Sequence, residues 1–292
     1  MPVTRREGLE KNKIVFKVLV PSLVVQTFLV AVACGGSGSE VRTPSGSPNP
    51  VVAEGTGAVG QSVQNLARVS SARAEFEWSI RREGFGVEGN GRYATQIPAR
   101  LHLVAHYQGS GEIPSSFREE NDSELLALGE LVYINSPPLG DKWVLFTPQE
   151  LATDWDVAQR LIAARSPLNY QAAVGGATAM ENLGTDEIDG LSYQHYRASV
   201  DAGVLMDALA DAYGSQGQVL LASRFSGPVA MEIWLDTVTV LPRRLVGNGQ
   251  FTFMEGTTDL ELKVDFRDLG GQPEIPEAPS DFVTIADLMG GR

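Results

Sequence analysis

The sequence holds a single cysteine, Cys34, in 292 residues. A lone thiol excludes an intrachain disulfide framework and any CxxC or multi-cysteine zinc site. Basic charge is also scarce: 23 lysines and arginines stand against 36 aspartates and glutamates, a formal net charge of −13. Nucleic-acid binders need a cationic surface to displace counterions from phosphates, so no nucleic-acid partner is expected. No uninterrupted apolar run reaches about 18 residues, so no ordinary spanning helix is expected in the mature protein. What is present is a 43% hydrophobic composition, too apolar for a disordered chain and enough for a packed core.

The first 34 residues read as an address. Arg5, Arg6, Lys11, Lys13 and Lys17 form a basic start, followed by an apolar stretch from Val18 to Val30 and then Ala31-Val32-Ala33-Cys34. A basic segment, a short apolar segment and small residues before a cleavage point make a secretory signal. Pro21-Ser22 and Gln26-Thr27 interrupt the apolar stretch, which suits a cleaved signal better than a permanent anchor. The cysteine at the end of the small residues resembles the bacterial lipobox, in which that cysteine is acylated and becomes the first mature residue. The reading is a signal peptide over 1–33 and lipidation at Cys34. Cleavage there removes more basic than acidic residues, and an acidic mature surface is repelled by anionic headgroups. The acyl chains then hold the protein at the membrane, each buried methylene contributing about 0.8 kcal/mol.

Residues 34–58 are rich in Gly, Ser, Pro and Thr, with Thr43-Pro44-Ser45-Gly46-Ser47-Pro48 at the centre. This composition predicts a flexible tether, and some 20 coil residues reach roughly 25 Å.

A different pattern begins after a helix predicted over Val59–Val69. Phe76, Trp78 and Ile80 alternate with Glu75, Glu77 and Ser79; Leu101, Leu103, Ala105 and Tyr107 alternate with His102 and His106. Met231, Ile233 and Leu235 alternate with Glu232 and Asp236, and Leu260, Leu262, Val264 and Phe266 with Glu261, Lys263, Asp265 and Arg267. Period-two alternation marks strands with one buried and one wet face, as in an antiparallel sheet. Further strands are expected at Gly91–Gln96, Leu131–Asn135, Lys142–Phe146, Ala179–Thr185, Tyr193–Val200 and Leu245–Phe253. Asn248-Gly249 and Asp189-Gly190 have the chemistry of tight turns. Two helices are predicted, Asp154–Arg165 and Ala202–Tyr213, each with one apolar stripe. The fold class is α+β: a curved antiparallel half-barrel sheet with helices covering its concave face. One domain spans 59–280, and a tail over 281–292 is expected to form a short helix or to fray. Sheet and helices that do not fully interdigitate leave an apolar cleft.

Chemistry-bearing motifs are few. Gly84-Phe85-Gly86-Val87-Glu88-Gly89 spells G-x-G-x-x-G, but turn and strand follow where a dinucleotide site needs a helix, so it reads as a hairpin. His102 and His106 have metal-ligand spacing for a helix; on a strand they stand about 13 Å apart, too far for one ion. They are expected to face solvent. No GxSxG, HExxH or EF-hand pattern occurs, and Asp186 and Asp189 fit turn hydrogen bonds. No catalytic residue, metal ligand or cofactor is assigned, and the chain is read as no enzyme.

Short motifs carry a family resemblance. They are Leu131-Val132-Tyr133-Ile134 with Lys142-Trp143, Ile188-Asp189-Gly190 with His195-Tyr196, Ile233-Trp234-Leu235-Asp236 with Leu241-Pro242, and Ile275-Pro276 with Pro279. With the lipobox, tether and helix before them, they make residues 60–280 similar to LppX/LprG-type lipoproteins, which look like the carriers LolA and LolB. Departures are an inserted stretch around Gly109–Asn121 and the Gly-rich Val174-Gly175-Gly176. The resemblance implies a half-barrel in the bacterial envelope that holds acyl chains of a lipid, glycolipid or lipidated protein, with a membrane transporter as a candidate partner. Ligand-lining residues are then expected at Phe76, Trp78, Ile80, Leu101, Leu103, Met231, Ile233, Leu262, Val264 and Phe266, with Leu161, Leu205 and Leu209 from the helices. Two other readings remain: an interaction or assembly module with a closed core, and an envelope hydrolase.

Overall fold

In a computed structural model of the chain, the residues described are 50–66, 68–96, 100–111, 121–136, 140–147, 177–201, 227–253, 256–284 and 287–288. They form one helix, α1 (Pro50–Leu66), and the strands β1 (Ser71–Arg82), β2 (Phe85–Gln96), β3 (Arg100–Gly111), β4 (Asn121–Leu128), β5 (Leu131–Ser136), β6 (Gly140–Phe146), β7 (Ala177–Ile188), β8 (Leu191–Val200), β9 (Val229–Asp236), β10 (Pro242–Phe253), β11 (Gly256–Leu269) and β12 (Phe282–Thr284). The strands make a single unclosed sheet of order β12-β6-β5-β4-β3-β2-β1-β11-β10-β9-β8-β7. Two antiparallel meanders, β1–β6 and β7–β11, meet where the long strands β1 and β11 pair. Sequence-distant strands therefore form the centre of the sheet.

Alternation sets which face is dry. On β1, Ala74, Phe76 and Trp78 are buried while Arg73, Glu75 and Glu77 are exposed. The register carries this across the sheet: Phe76 lies opposite Val264, Val264 opposite Leu245, and Leu245 opposite Ile233. The result is one apolar cluster that draws residues from β1 through β11. Each neighbour adds buried area at about 25 cal/mol per Å2, so the sheet's stability lies on this face.

Two glycines on β2 shape the dry face. A Cβ at Gly89 would meet the Trp78 ring at 2.8 Å and the His106 carbonyl oxygen at 2.5 Å; one at Gly91 would meet the Phe76 ring at 2.5 Å. The large rings of β1 thus lie over the bare backbone of β2, which only glycine permits.

Helix α1 begins at Pro50, where the sequence predicts a start at Val59, and so includes residues that read as tether from their composition. Proline suits a first helical turn because its missing N–H has no helical partner there. Val59, Ser62 and Leu66 are buried, and Val63 packs on the same cluster, the i, i+3, i+4, i+7 spacing of one helical stripe. Asn65 Nδ2 donates to the Thr239 carbonyl at 2.8 Å and ties the helix end to the β9–β10 turn. α1 is the only helix over the dry face among the described residues; the helices predicted at Asp154–Arg165 and Ala202–Tyr213 lie outside them.

Other expectations need correction. Asn248-Gly249 lies inside β10, with Asn248 opposite both Glu261 and Ala230. Pairing on both sides outweighs the local turn preference of the dipeptide. The C-terminal tail, expected as a short helix or frayed, has helical residues at 287–288 and adds strand β12, parallel to β6, reached by a segment that Arg100 anchors through the Ile275 and Pro276 carbonyls. Asp189-Gly190 does form a tight turn, with φ of 54° and 78°, between β7 and β8. Glu83-Gly84 turns the β1–β2 hairpin, so the G-x-G-x-x-G letters open a strand.

Candidate ligand-binding face

The dry face collects the residues expected to line a ligand. Phe76, Trp78, Leu101, Leu103, Met231, Ile233, Leu262, Val264 and Phe266 are all buried and belong to one cluster, and the half-buried Ile80 packs against it. Leu161, Leu205, Leu209 and the lipidation site Cys34 lie outside the described residues.

One ladder row crosses this face from Met180 on β7 through Met231, Leu262 and Trp78 to Tyr107 and Asn121 on β4. Gly247 occupies the place between Met231 and Leu262. A Cβ added there would meet no atom of the described residues within 4 Å, in contrast to the crowded Gly89. Among the described residues the row is thus filled over β2 and open over β10. It is apolar on the β11 side of Trp78 and polar on the β3–β4 side. Tyr107 and Asn121 are buried, and the neighbouring Ser123 hydroxyl donates to Ser136 at 3.1 Å. Trp78 Nε1 and the Thr258 hydroxyl are buried without a hydrogen-bond partner among the described residues. This polar end was missed in the sequence, because only the register shows that Trp78, Tyr107 and Asn121 share a row.

The opposite face is wet and charged. His102 and His106 lie on it, each 2.5 Å from a carboxylate, Glu124 and Asp122 respectively. They are paired across β3–β4, and His102 is largely buried where the sequence predicts solvent exposure. A hollow of 660 Å3 on this face is bordered by Glu77, Asn90, His106, Gln108, Asn248 and Glu261 among others. Of the expected ligand-lining residues, Trp78 and Leu262 also border it.

A second wet-face network surrounds Trp234. Its indole stacks on His195 at 4.1 Å and donates to Asp186 at 3.0 Å, and His195 Nε2 lies 3.3 Å from Glu232. The Trp234 hydrogen bond, then the Glu187 backbone N–H, hold the Asp186 carboxyl below the usual carboxylate range. Asp186 therefore bonds across strands instead of serving a turn, while Asp189 accepts from Arg243 and Arg267. Among the described residues no group of three or more His, Cys, Asp or Glu side chains could hold a metal ion. No described helix is long and apolar enough to cross a membrane.

No protein-family model matches the chain, and no curated protein matches it. Solved structures do. LprF from Mycobacterium bovis is 19% identical over 80% of this chain and 99% of its own, with a TM-score of 0.45. LppX from Mycobacterium tuberculosis is 11% identical over 78% of this chain and 100% of its own, with a TM-score of 0.44. A LolA superfamily protein from Nitrosomonas europaea is 10% identical over 77% of this chain and 94% of its own, with a TM-score of 0.27. These are the groups that the sequence motifs resemble.

Proposed function

We propose that this chain is an envelope lipoprotein, anchored through acylated Cys34, that holds acyl chains of a lipid or lipidated molecule against the dry face of its sheet. The observation that carries the reading is the continuous apolar face from β1 to β11, with no atom of the described residues above Gly247. An acyl chain of about 16 carbons in water costs on the order of 12 kcal/mol at about 0.8 per methylene. A protein that moves such a chain between membranes must hide most of it, and a broad apolar sheet face supplies the area. The sheet is unclosed, with β7 and β12 as its edges, so no ring of backbone hydrogen bonds has to break for a long ligand to enter.

Native mass spectrometry of the full chain, purified in mild detergent and released from it, tests this reading. Bound lipid at near one-to-one stoichiometry is expected. A lipid-free protein that takes up no added diacyl lipid would overturn it and favour an assembly module with a filled core.

A further inference from the structure

The Trp78 indole sits at the boundary between the apolar and polar parts of its row. It is 5% exposed. Its Cε2 and Cζ2 atoms are the ring carbons nearest Gly89, so the indole lies over β2, the strand between Trp78 and the Tyr107–Asn121 end of the row. Yet among the described residues that N–H has no acceptor. Buried donors are almost always paired, because an unmade bond leaves the full cost of desolvation. Polar groups nearby do not fill the role: Ser123 and Ser136 are bonded to each other.

We infer that the Trp78 N–H is a recognition donor for an uncharged carbonyl oxygen, and that the ligand is an ester-linked acyl lipid seated with its ester at this boundary. The inference rests on the acyl-binding reading above and deepens it. Three observations select the chemistry. First, the vacant partner must be an acceptor, since an indole N–H only donates. Second, the row from Met180 to Asn121 contains no charged side chain; an ionised phosphate or carboxylate would be buried there without countercharge, which is prohibitively costly. Third, Met231, Leu262 and the space over Gly247 lie on one side of Trp78, and Tyr107 and Asn121 on the other. A molecule whose hydrocarbon begins at a carbonyl matches that division. Thr258 lies four residues along β11 from the Leu262 that faces Trp78, about 13 Å in a strand, so Trp78 and Thr258 do not share one oxygen.

The test is a competition on the full chain between dipalmitoylglycerol and its diether counterpart, dihexadecylglycerol, which differ only in the two carbonyls. Bound lipids are counted by mass spectrometry. Wild type is expected to prefer the diester by roughly fivefold, the usual net effect of one hydrogen bond, and Trp78→Phe to take both equally. Equal binding of both lipids by wild type overturns the inference while the acyl-binding reading stands. So does a preference that survives in Trp78→Phe. Binding of neither lipid removes the acyl-binding reading and this inference with it. Should Trp78→Phe fail to fold, the indole N–H resonance of wild type decides, assigned by substituting Trp143, Trp155 and Trp234 in turn. It should move downfield with the diester and stay in place with the diether; no difference between the two overturns the inference.

Discussion

Arg244 grips Asp265 with two parallel hydrogen bonds, Nε to Oδ1 at 2.6 Å and Nη2 to Oδ2 at 3.0 Å, between directly opposed residues of β10 and β11. Asp265 is 7% exposed and Arg244 25%, so solvent screens this pair poorly. Asp265→Asn leaves the guanidinium half-buried without its countercharge and is expected to cost about 1–3 kcal/mol. Glu88→Gln, which breaks an exposed contact of 3.4 Å with Arg81, is expected to cost about 0–1 kcal/mol. Urea unfolding of both variants checks the contrast; equal losses would mean that burial does not set the strength of these pairs.

The same groups set the acid response. Burial pushes the Asp265 carboxyl up, but the Arg244 hydrogen bonds and charge, with Lys263 and Arg243, outweigh it and hold the group below the usual range. The Thr239 backbone N–H does the same for Asp236, against a smaller opposing effect of burial. Both carboxylates therefore keep their charge more tightly folded than unfolded. Their stabilisation is complete above the ordinary carboxylate value of about 4 and is lost as pH falls through the lower folded values. The melting temperature is expected to be flat from neutral pH to about 5 and to fall below about 4. In Asp265→Asn that fall should be shallower, and an unchanged slope would remove Asp265 from the explanation.

Gly91 carries the prediction for the dry face. A methyl there would press on the Val104 carbonyl oxygen as well as on the Phe76 ring, so Gly91→Ala forces both away from β2 and should cost about 1–3 kcal/mol. Phe76→Leu alone opens space and also destabilises. The double variant should recover part of the loss, since the smaller side chain makes room for the new methyl. Strict additivity in a double-mutant cycle would show that the two positions do not touch.

This glycine also explains what could be read in the sequence and what could not. β11 was legible because Leu260, Leu262, Val264 and Phe266 alternate without a break, and β1 because Phe76 and Trp78 do the same. The first half of β2 was not: the strand is expected from Gly91 and actually begins at Phe85. Its inward positions Gly89 and Gly91 carry no apolar signal, because the hydrophobic groups that fill them belong to β1. β12 was hidden for a related reason. Three residues paired with β6 over a long sequence separation leave no periodicity to detect. The buried residues of the dry face were legible as far as alternation reaches. The polar end at Tyr107 and Asn121 depends on cross-strand register, which local pattern does not encode.

Cys34 gives a prediction about location. If its acyl chains are the anchor, Cys34→Ser should shift the protein from the membrane fraction to the soluble fraction after cell lysis, without changing its unfolding midpoint. Retention of the variant in membranes would assign attachment to an uncleaved apolar segment instead. The acidic composition makes adsorption on anionic lipid a poor alternative.

Gly247 separates a filled interior from a receptive one. A small side chain there meets no atom of the described residues within 4 Å, so Gly247→Ala should be neutral or stabilising by roughly 0.5–1 kcal/mol, since alanine loses less backbone entropy in a strand than glycine. Gly247→Leu places a branched side chain between Met231 and Leu262, the space proposed for hydrocarbon. If that space receives an acyl chain, Gly247→Leu should keep the wild-type melting temperature within a few degrees and lose most of the co-purified lipid. The two readouts move apart only for a ligand site. In a closed core, leucine would overpack and lower stability, with no lipid to lose.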